Sequence, residues 1–187
     1  MKIVYFIDHL APDGAQNLLR QLVEGLAARG HDQTIICLND SWDQVLVDHL
    51  REAGANVYIV TQFTFTAGPV IAWENANRRD MDRLPVVAGL PGLATAKTLL
   101  KYALDCGVGP SLQAFSKRYS SLTKLLRISR PDRMIVDLAR HKERVPESNL
   151  AGIHFFTFGG FKKTADWANK IVSGDFELTE DGGLKVS

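Results

Sequence analysis

Four positions stand where parallel α/β proteins commonly carry their chemistry. Gly14 lies between an apolar run and an amphipathic stretch, where backbone N–H groups and a helix dipole would attract an anion. Gln62 follows another apolar run, and its side-chain amide can both donate and accept a hydrogen bond. His154 has the titration range of a general acid or base, and Lys97 supplies a cation near a predicted helix start. These four residues are the candidate ligand contacts, and the sequence assigns no catalytic residue.

Each candidate also has a purely structural interpretation. Gly14 fits a tight turn, because the sequence around it has neither the G-x-G-x-x-G dinucleotide fingerprint nor the G-x-x-x-x-G-K-[ST] phosphate loop. Gln62 fits a polar residue that alternates out of a strand. His154 fits a core or strand-end histidine, and Lys97 fits a surface cation at a helix start. Both interpretations stay open at each position.

Composition indicates a globular protein with an uneven charge distribution. The 187 residues are 45% hydrophobic and 23% charged, with a formal net charge of +1, which suits one domain or two small ones. Residues 1–62 carry four Lys or Arg against eight Asp or Glu, net −4, whereas residues 78–144 carry fourteen against six, net +8. The basic segment could attract phosphate or form a solvated helical face. It lacks the motifs of a nucleic-acid interface, so we expect no nucleic-acid partner.

The apolar runs and the two cysteines predict a cytoplasmic protein. The longest apolar runs are far shorter than the roughly 20 residues of a membrane span, and the N-terminal residues resemble a strand rather than a signal peptide. Cys37 and Cys106 have the spacing of neither a disulfide framework nor a zinc site. We expect buried thiols in a reducing compartment, no membrane span and no metal site.

Strand-like and helix-like segments alternate along the chain, which predicts an α/β fold with a mainly parallel five-stranded sheet. The predicted strands cover residues 2–7, 33–38, 56–65, 84–88 and 149–158. The predicted helices run from residue 15 to a glycine stop at Gly30, over 43–53 to a glycine stop at Gly54, and over 69–79, 95–106, 111–126, 130–144 and 161–172. The helices over 111–126 and 130–144 have no strand between them and form a paired-helix insert. Residues 173–187 are predicted to be a loosely held tail.

The first part of the chain, about residues 1–60, resembles a known enzyme family. It contains, in order, Met1-Lys2-Ile3-Val4, Ile7-Asp8, Pro12-Asp13-Gly14-Ala15 and Leu26-Ala27-Ala28-Arg29-Gly30-His31. This order closely resembles the start of retaining GT-B glycosyltransferases. The resemblance implies a Rossmann-like segment with Gly14 near a donor and acceptor cleft, although the family usually has two adjacent glycines there. The second domain, which holds the nucleotide sugar in that family, has no counterpart in this chain.

The later part, about residues 50–172, resembles a different family. It contains, in order, Thr61-Gln62-Phe63-Thr64-Phe65, Leu84-Pro85-Val86-Val87-Ala88-Gly89-Leu90-Pro91, Lys97-Thr98-Leu99-Leu100-Lys101-Tyr102-Ala103, Cys106-Gly107-Val108 and His154-Phe155-Phe156-Thr157-Phe158. These motifs resemble methylenetetrahydrofolate reductase, a flavin-carrying TIM barrel of one-carbon metabolism with its site at the carboxyl ends of the strands. The resemblance implies that the segment supplies the last three barrel strands and that Gln62 contacts a folate pterin. Lys97 matches the family's helix lysine.

Two departures weaken the implied reductase site. Ala96 replaces an aromatic residue that lies against bound ligand in many relatives. The early barrel strands, with the family's catalytic glutamate and its flavin contacts, have no counterpart in residues 1–53. Because hydride transfer requires a flavin fixed beside its substrate, we expect no intact reductase site and either no cofactor or FAD.

The two resemblances meet near residues 54–62. Both families carry a helix-to-strand sequence like residues 50–56, so we interpret the chain as a chimera, with a single natural family as the alternative. The predicted organisation is a Rossmann-like segment at 1–54, a reductase-type segment at 55–172 with the helix pair at 111–144, and the tail, all in one compact domain. The fourth strand lies beside the first in a doubly wound sheet, or beside the third in a sequential, barrel-like sheet. We favour the sequential order.

These patterns favour a chimeric α/β module without an intact active site. It would have at most weak affinity for folate, flavin or phosphate at the carboxyl ends of its strands. The alternatives are a flavin-dependent oxidoreductase of the methylenetetrahydrofolate reductase type and a glycosyltransferase fragment or subunit. Open sheet edges could also pair with another copy of the chain, which would make a homo-oligomer.

Overall fold

The computed structural model describes residues 1–38, 41–81, 84–105 and 128–186. These residues form a mixed α/β fold around one main parallel sheet. The helices are α1 (Gly14–Ala27), α2 (Gln44–Glu52), α3 (Ala67–Asn77), α4 (Ala96–Asp105), α5 (Asp132–Arg144) and α6 (Phe161–Val172). The strands are β1 (Lys2–Ile7), β2 (Asp32–Cys37), β3 (Asn56–Val60), β4 (Val86–Pro91), β5 (Ala94–Thr95), β6 (Ile128–Ser129), β7 (Leu150–Phe156), β8 (Phe176–Leu178) and β9 (Leu184–Val186).

The main sheet has the strand order β1-β2-β3-β4-β7. β1 pairs in parallel with β2, which places Ile7 opposite Cys37. β3 pairs in parallel with β4, which places Ile59 opposite Val86. Each new strand of this sheet therefore joins the same growing edge, and the sheet stays open instead of closing into a barrel. The predicted fold class and the favoured sequential order are confirmed, and the fourth strand does not lie beside the first.

Capping residues and glycines fix the ends of the first two helices. The Asp13 carboxylate accepts a hydrogen bond from the Gly14 N–H (2.6 Å), and the Asp43 carboxylate accepts one from the Leu46 N–H (2.9 Å). Aspartate is favoured at this position because it satisfies helix N–H groups that have no partner within the helix. The predicted glycine stops, Gly30 and Gly54, have φ values of 74° and 87°, which side chains other than glycine rarely adopt.

Several strand boundaries differ from the sequence prediction. β4 spans Val86–Pro91 instead of 84–88, and β7 spans Leu150–Phe156 instead of 149–158. β3 ends at Val60, and the chain then leaves the sheet, although the Thr61 N–H still donates to the Val87 carbonyl (3.0 Å). β6 precedes α5 and pairs antiparallel with β5, so a short strand lies between the segments predicted as helices at 111–126 and 130–144, where no strand was predicted. The helix predicted over residues 111–126 and the thiol of Cys106 lie outside the described residues.

The C-terminal segment, predicted to be a loose tail, forms an antiparallel hairpin of β8 and β9. Phe176 lies opposite Val186, and Leu184 is buried. Gly182 has a φ of 80° in the connecting turn. The buried side chain of Leu184 holds the hairpin in place. The charged residues around it in the sequence are typical of a solvated tail, which is why the hairpin was not predicted.

The described residues pack into two compact units. Unit 1 comprises residues 1–62, 77–88 and 149–152, and unit 2 comprises 63–76, 89–148 and 153–187, each within the described residues. The structure thus divides the chain differently from the predicted segments at 1–54 and 55–172. The boundary between the units crosses two strands, because β4 and β7 each contribute their first residues to unit 1 and their last residues to unit 2.

Unit 1 is built on a sheet with one buried and one exposed face. Ile35 is fully buried, and Cys37 and Val57 lie on the same face. The buried Gln33 belongs to this face as well, and its amide donates to the Val23 carbonyl of α1 (2.9 Å). On the other face Phe6 is 69% exposed. The strands at this edge of the sheet are therefore buried on one face only.

Unit 2 has a core that is rich in aromatic residues. Phe63 and Phe65 pack with four small or aliphatic residues of the β5 and α4 region: Ala94, Ala96, Leu99 and Ala103. A buried acid and base pair also joins two helices of this unit, with Glu74 Oε2 of α3 lying 3.5 Å from His141 Nε2 of α5. Glu74 is fully buried.

Among the described residues, no helix has the length and apolar character needed to cross a bilayer.

Candidate ligand-binding site

Gly14 lies in unit 1, at the N-terminus of α1 and after the carboxyl end of β1. Its N–H is already capped by the Asp13 carboxylate, and a Cβ added at Gly14 would meet no atom within 4 Å. Nearby, the buried Gln16 amide donates to the His9 carbonyl (3.0 Å), and its nitrogen lies 3.2 Å from His9 Nδ1. The protein's own carboxylate therefore occupies the position that the sequence offered to an anion, and neither close packing nor a special φ requires glycine here.

Gln62 also lies in unit 1, two residues after the end of β3, and its side chain is exposed. This placement at the carboxyl end of a parallel strand is the one that the sequence predicts, and ligand sites of parallel α/β sheets lie at such ends. The next residue, Phe63, is almost fully buried in the core of unit 2. The chain therefore changes at this point from an exposed amide to a core aromatic residue.

Lys97 lies in unit 2, in the first turn of α4, and is exposed. Thr95 precedes the helix, and its hydroxyl accepts a hydrogen bond from the Thr98 N–H (3.2 Å). Lys97 forms no hydrogen bond or ion pair within the described part of the chain. Its neighbour Ala96 is fully buried in the aromatic-rich core, so a large aromatic ring at that position would have to displace core side chains.

An aromatic row runs along one side of unit 2, formed by His154, Phe156, Phe158 and Tyr102. Tyr102 stacks on Phe158, with ring centroids 4.5 Å apart and an interplanar angle of 19°. Phe158 and Phe156 are also parallel, at 5.9 Å and 19°, and His154 meets Phe156 edge-on at 5.0 Å. Phe63 supports the row from the core, with its centroid 4.9 Å from that of Phe158.

The two ends of the aromatic row reach solvent. Tyr102 is 38% exposed, and the His154 side chain is exposed. Partial burial against Phe156 lowers the pKa of His154 from its usual value, because loss of water disfavours the charged imidazolium. His154 is therefore a neutral ring at neutral pH, which suits packing against an uncharged aromatic ligand better than the role of a proton donor.

Two glycines bring the carboxyl end of β4 close to the carboxyl end of β7. A Cβ on Gly159 would overlap the Leu93 carbonyl oxygen, and a Cβ on Gly92 would lie 2.6 Å from Thr164 Oγ1. The Gly92 N–H donates to the Phe156 carbonyl (2.9 Å). This close approach fixes the backbone of the segment that carries Phe156 and Phe158, so these two rings of the row are held in place.

The four sequence candidates are divided between the units, with Gly14 and Gln62 in unit 1 and Lys97 and His154 in unit 2. Within the described residues no hydrogen bond or ring contact joins Lys97 to His154, and no cluster of three or more His, Cys, Asp or Glu side chains could hold a metal ion. The sequence prediction missed the rest of the aromatic row. Its signal was the alternate spacing of His154, Phe156 and Phe158, which places the three side chains on one face of an extended segment. No protein-family model matches the chain.

Proposed function

We propose that this chain is a ligand-binding module without catalysis of its own, and that it binds a flat heteroaromatic molecule of the flavin or pterin class. The observation that carries the proposal is the aromatic row of His154, Phe156, Phe158 and Tyr102. Parallel rings with exposed ends offer a stacking surface to another flat ring system. The row stands at the carboxyl end of a parallel strand, where such folds bind ligands.

The expected affinity is weak. Stacking of a heterocycle on one aromatic side chain contributes roughly 1 to 3 kcal/mol, and the loss of translational and rotational freedom opposes it. A dissociation constant around the millimolar range follows for a ligand held by one or two rings. FAD would fit the row by its isoalloxazine ring, and a folate by its pterin, through stacking on Tyr102.

Two residues bear on proton transfer at this row. The lowered pKa makes His154 a poor proton donor at neutral pH, and Lys97, exposed in the first turn of α4, is joined to it by no hydrogen bond or ring contact among the described residues. We propose that the chain combines a glycosyltransferase-like segment with a reductase-like segment, each lacking the rest of its site. The sequential strand order, which is the order of a barrel, supports the reductase-like assignment.

A titration with riboflavin tests the proposed function. Riboflavin carries the flavin ring without a phosphate, and stacking on tyrosine should quench its fluorescence in a saturable way. Tyr102→Ala should weaken binding several-fold, and Tyr102→Phe should restore it, because the ring is the binding element. Phe161→Ala is the matched control, since Phe161 is an exposed aromatic residue in the first turn of α6 and outside the row. An absence of saturable quenching at millimolar protein, or an equal effect of the Phe161 variant, would refute the proposal.

We also propose that a second copy of the chain covers the exposed sheet face of unit 1. Val4 and Phe6 are 51% and 69% exposed on the edge strand β1, which presents unpaired backbone groups as well. Phe6→Lys should shift the protein to the monomer in light scattering. Leu18→Lys, on an exposed apolar position of α1, should not. A wild-type monomer at all concentrations would refute this part of the proposal.

A further inference from the structure

A cavity of about 280 Å³ lies within unit 2, apart from the four rings of the aromatic row. Its position is defined by three element ends: the carboxyl end of β4, the residues before α3 and the first turns of α5. Phe65, Pro91 and Met134 form apolar parts of its lining, and Arg130, Arg133 and Asp137 form polar parts. Pockets that bind small molecules combine an apolar lining with a few polar groups of this kind.

The charge at the cavity is unbalanced in favour of cations. Arg130 and Arg133 are exposed, and within the described residues neither forms an ion pair. The Asp181 pKa is lowered chiefly by a hydrogen bond from the Thr179 hydroxyl and to a smaller extent by Arg133. Arg133 therefore has an acidic neighbour, which makes Arg130 the cleaner cation to test.

The start of α5 contributes its helix dipole to the cavity, although the first turn also carries the acidic Asp132. Pro131, the residue before the helix, provides no side-chain hydrogen bond to the first turn. The helix is 13 residues long, and its dipole places partial positive charge at this end. Two guanidinium groups, each a planar fork of donors, match the oxygens of a phosphate or carboxylate.

We propose that this cavity binds the anionic group of a small molecule with a compact apolar body, such as an aryl phosphate or an aryl carboxylate. The anion would lie between Arg130 and Arg133, and the apolar body would lie against Phe65 and Met134. The volume is at the small end of ligand pockets, which span roughly 300 to 1,000 Å³, so it suits one ring and one anionic group rather than a dinucleotide. Asp137 repels an anion placed close to it and so limits the charge that the cavity accepts.

Calorimetric titrations with phenyl phosphate, benzoate and inorganic phosphate test the cavity. We expect phenyl phosphate or benzoate to bind more tightly than inorganic phosphate, because only the first two fill the apolar part. Comparison of phenyl phosphate with benzoate then identifies which anion the arginines prefer. Saturable binding of none of the three at millimolar concentration would overturn the proposal.

Substitutions in α5 and at Arg130, just before this helix, test whether the ligand binds in the cavity. Arg130→Gln should weaken binding roughly tenfold, which is the cost of losing one charged hydrogen-bonding partner. Asp137→Asn should strengthen it several-fold, because a like charge is removed. Arg144→Gln is the matched control, since Arg144 is an exposed cation of the same helix outside the cavity lining. If Arg144→Gln weakens binding as much as Arg130→Gln does, the attraction is nonspecific and the proposal is wrong.

The cavity and the aromatic row can be tested separately. Tyr102→Ala should leave phenyl phosphate binding unchanged, and Arg130→Gln should leave riboflavin binding unchanged. A negative binding result at one site therefore does not refute the proposal for the other site. Loss of both ligands in either variant would show that the variant has disturbed the fold of unit 2, and Arg130→Lys, which keeps the charge and removes the planar fork, then serves as the second test. Arg130→Lys should weaken phenyl phosphate binding while thermal unfolding stays unchanged, and unaltered binding in this variant would overturn the role of the Arg130 fork.

Discussion

Unit 1 and unit 2 use the same kinds of helix and strand but bury different chemistry. In unit 1 the buried residues are mainly aliphatic and lie on one face of the sheet, as at Ile35, while the opposite face exposes Phe6. In unit 2 the core contains Phe63 and Phe65, and the pair of Glu74 and His141 is buried as well. The difference teaches that unit 1 is built mainly by apolar periodicity, whereas unit 2 adds aromatic and acid–base contacts between specific partners.

The largest effect should come from breaking the buried pair in unit 2. His141→Leu removes the imidazole that lies 3.5 Å from the fully buried Glu74 carboxylate. Removing one partner of a buried acid and base pair should lower the free energy of unfolding by about 3 to 5 kcal/mol. Urea unfolding measures this decrease in the free energy of unfolding. The double variant Glu74→Met with His141→Leu should regain much of the loss, and a single variant that costs less than about 1 kcal/mol would contradict a role for the pair.

The two faces of the unit 1 sheet should respond unequally to truncation. Ile35→Ala creates a cavity at a fully buried position and should cost about 3 kcal/mol. Phe6→Ala, at 69% exposure, should cost less than about 0.5 kcal/mol in the monomer. Chemical denaturation at low protein concentration measures both. Equal costs would mean that the face carrying Phe6 is buried.

A close backbone contact in unit 2 gives the next effect. Gly159→Ala forces a Cβ onto the Leu93 carbonyl and should cost about 2 kcal/mol, as overpacking commonly does. Gly152→Ala in β7 is the control, because a Cβ there meets nothing within 4 Å. Thermal unfolding separates the two variants. The contact would be without energetic consequence if both unfolded alike.

The smallest effect should be a pH dependence from the aromatic row. Burial lowers the pKa of His154 in the folded protein, so the unfolded chain binds more protons between the folded value and the ordinary value of about 6.5. Stability from this source is present above about pH 6.5 and is lost as the pH falls through that window. His154→Gln should flatten the decrease in a series of urea midpoints from pH 8 downward. An unchanged pH profile would contradict the burial of the imidazole.

Sequence patterns were sufficient for most of the secondary structure, whereas for the sheet order they left two arrangements open and only favoured the sequential one. The apolar runs gave β1 and β2 within one residue, and Asp43 and Gly54 marked the ends of α2. The boundary of β3 was placed too late, because Phe63 and Phe65 continue an apolar alternation that belongs to the core of unit 2. Alternation alone does not distinguish a strand residue from a loop residue that packs inward.

The candidate site was predictable only in part. His154 was a candidate because histidine has a recognisable chemistry, and Gln62 lies just after the end of β3, where its role as a ligand contact stays a prediction. Tyr102 of α4 and Phe158, which follows β7, are 56 positions apart in the sequence, yet their rings stack. Arg130 and Arg133 belong to the basic segment that the charge count marked, but their cavity exists only where β4, α3 and α5 end together. Contacts across such distances depend on the packed structure and leave no local pattern.

The sequence by itself therefore determined the parallel α/β architecture, because period and capping are local properties of a few neighbouring residues. It also carried the aromatic spacing of β7 and the positive charge around α5. The tertiary structure alone decided that Glu74 meets His141 and that one face of the unit 1 sheet stays exposed. Each of these depends on which distant groups come within a few ångströms, and that is fixed only when the elements pack.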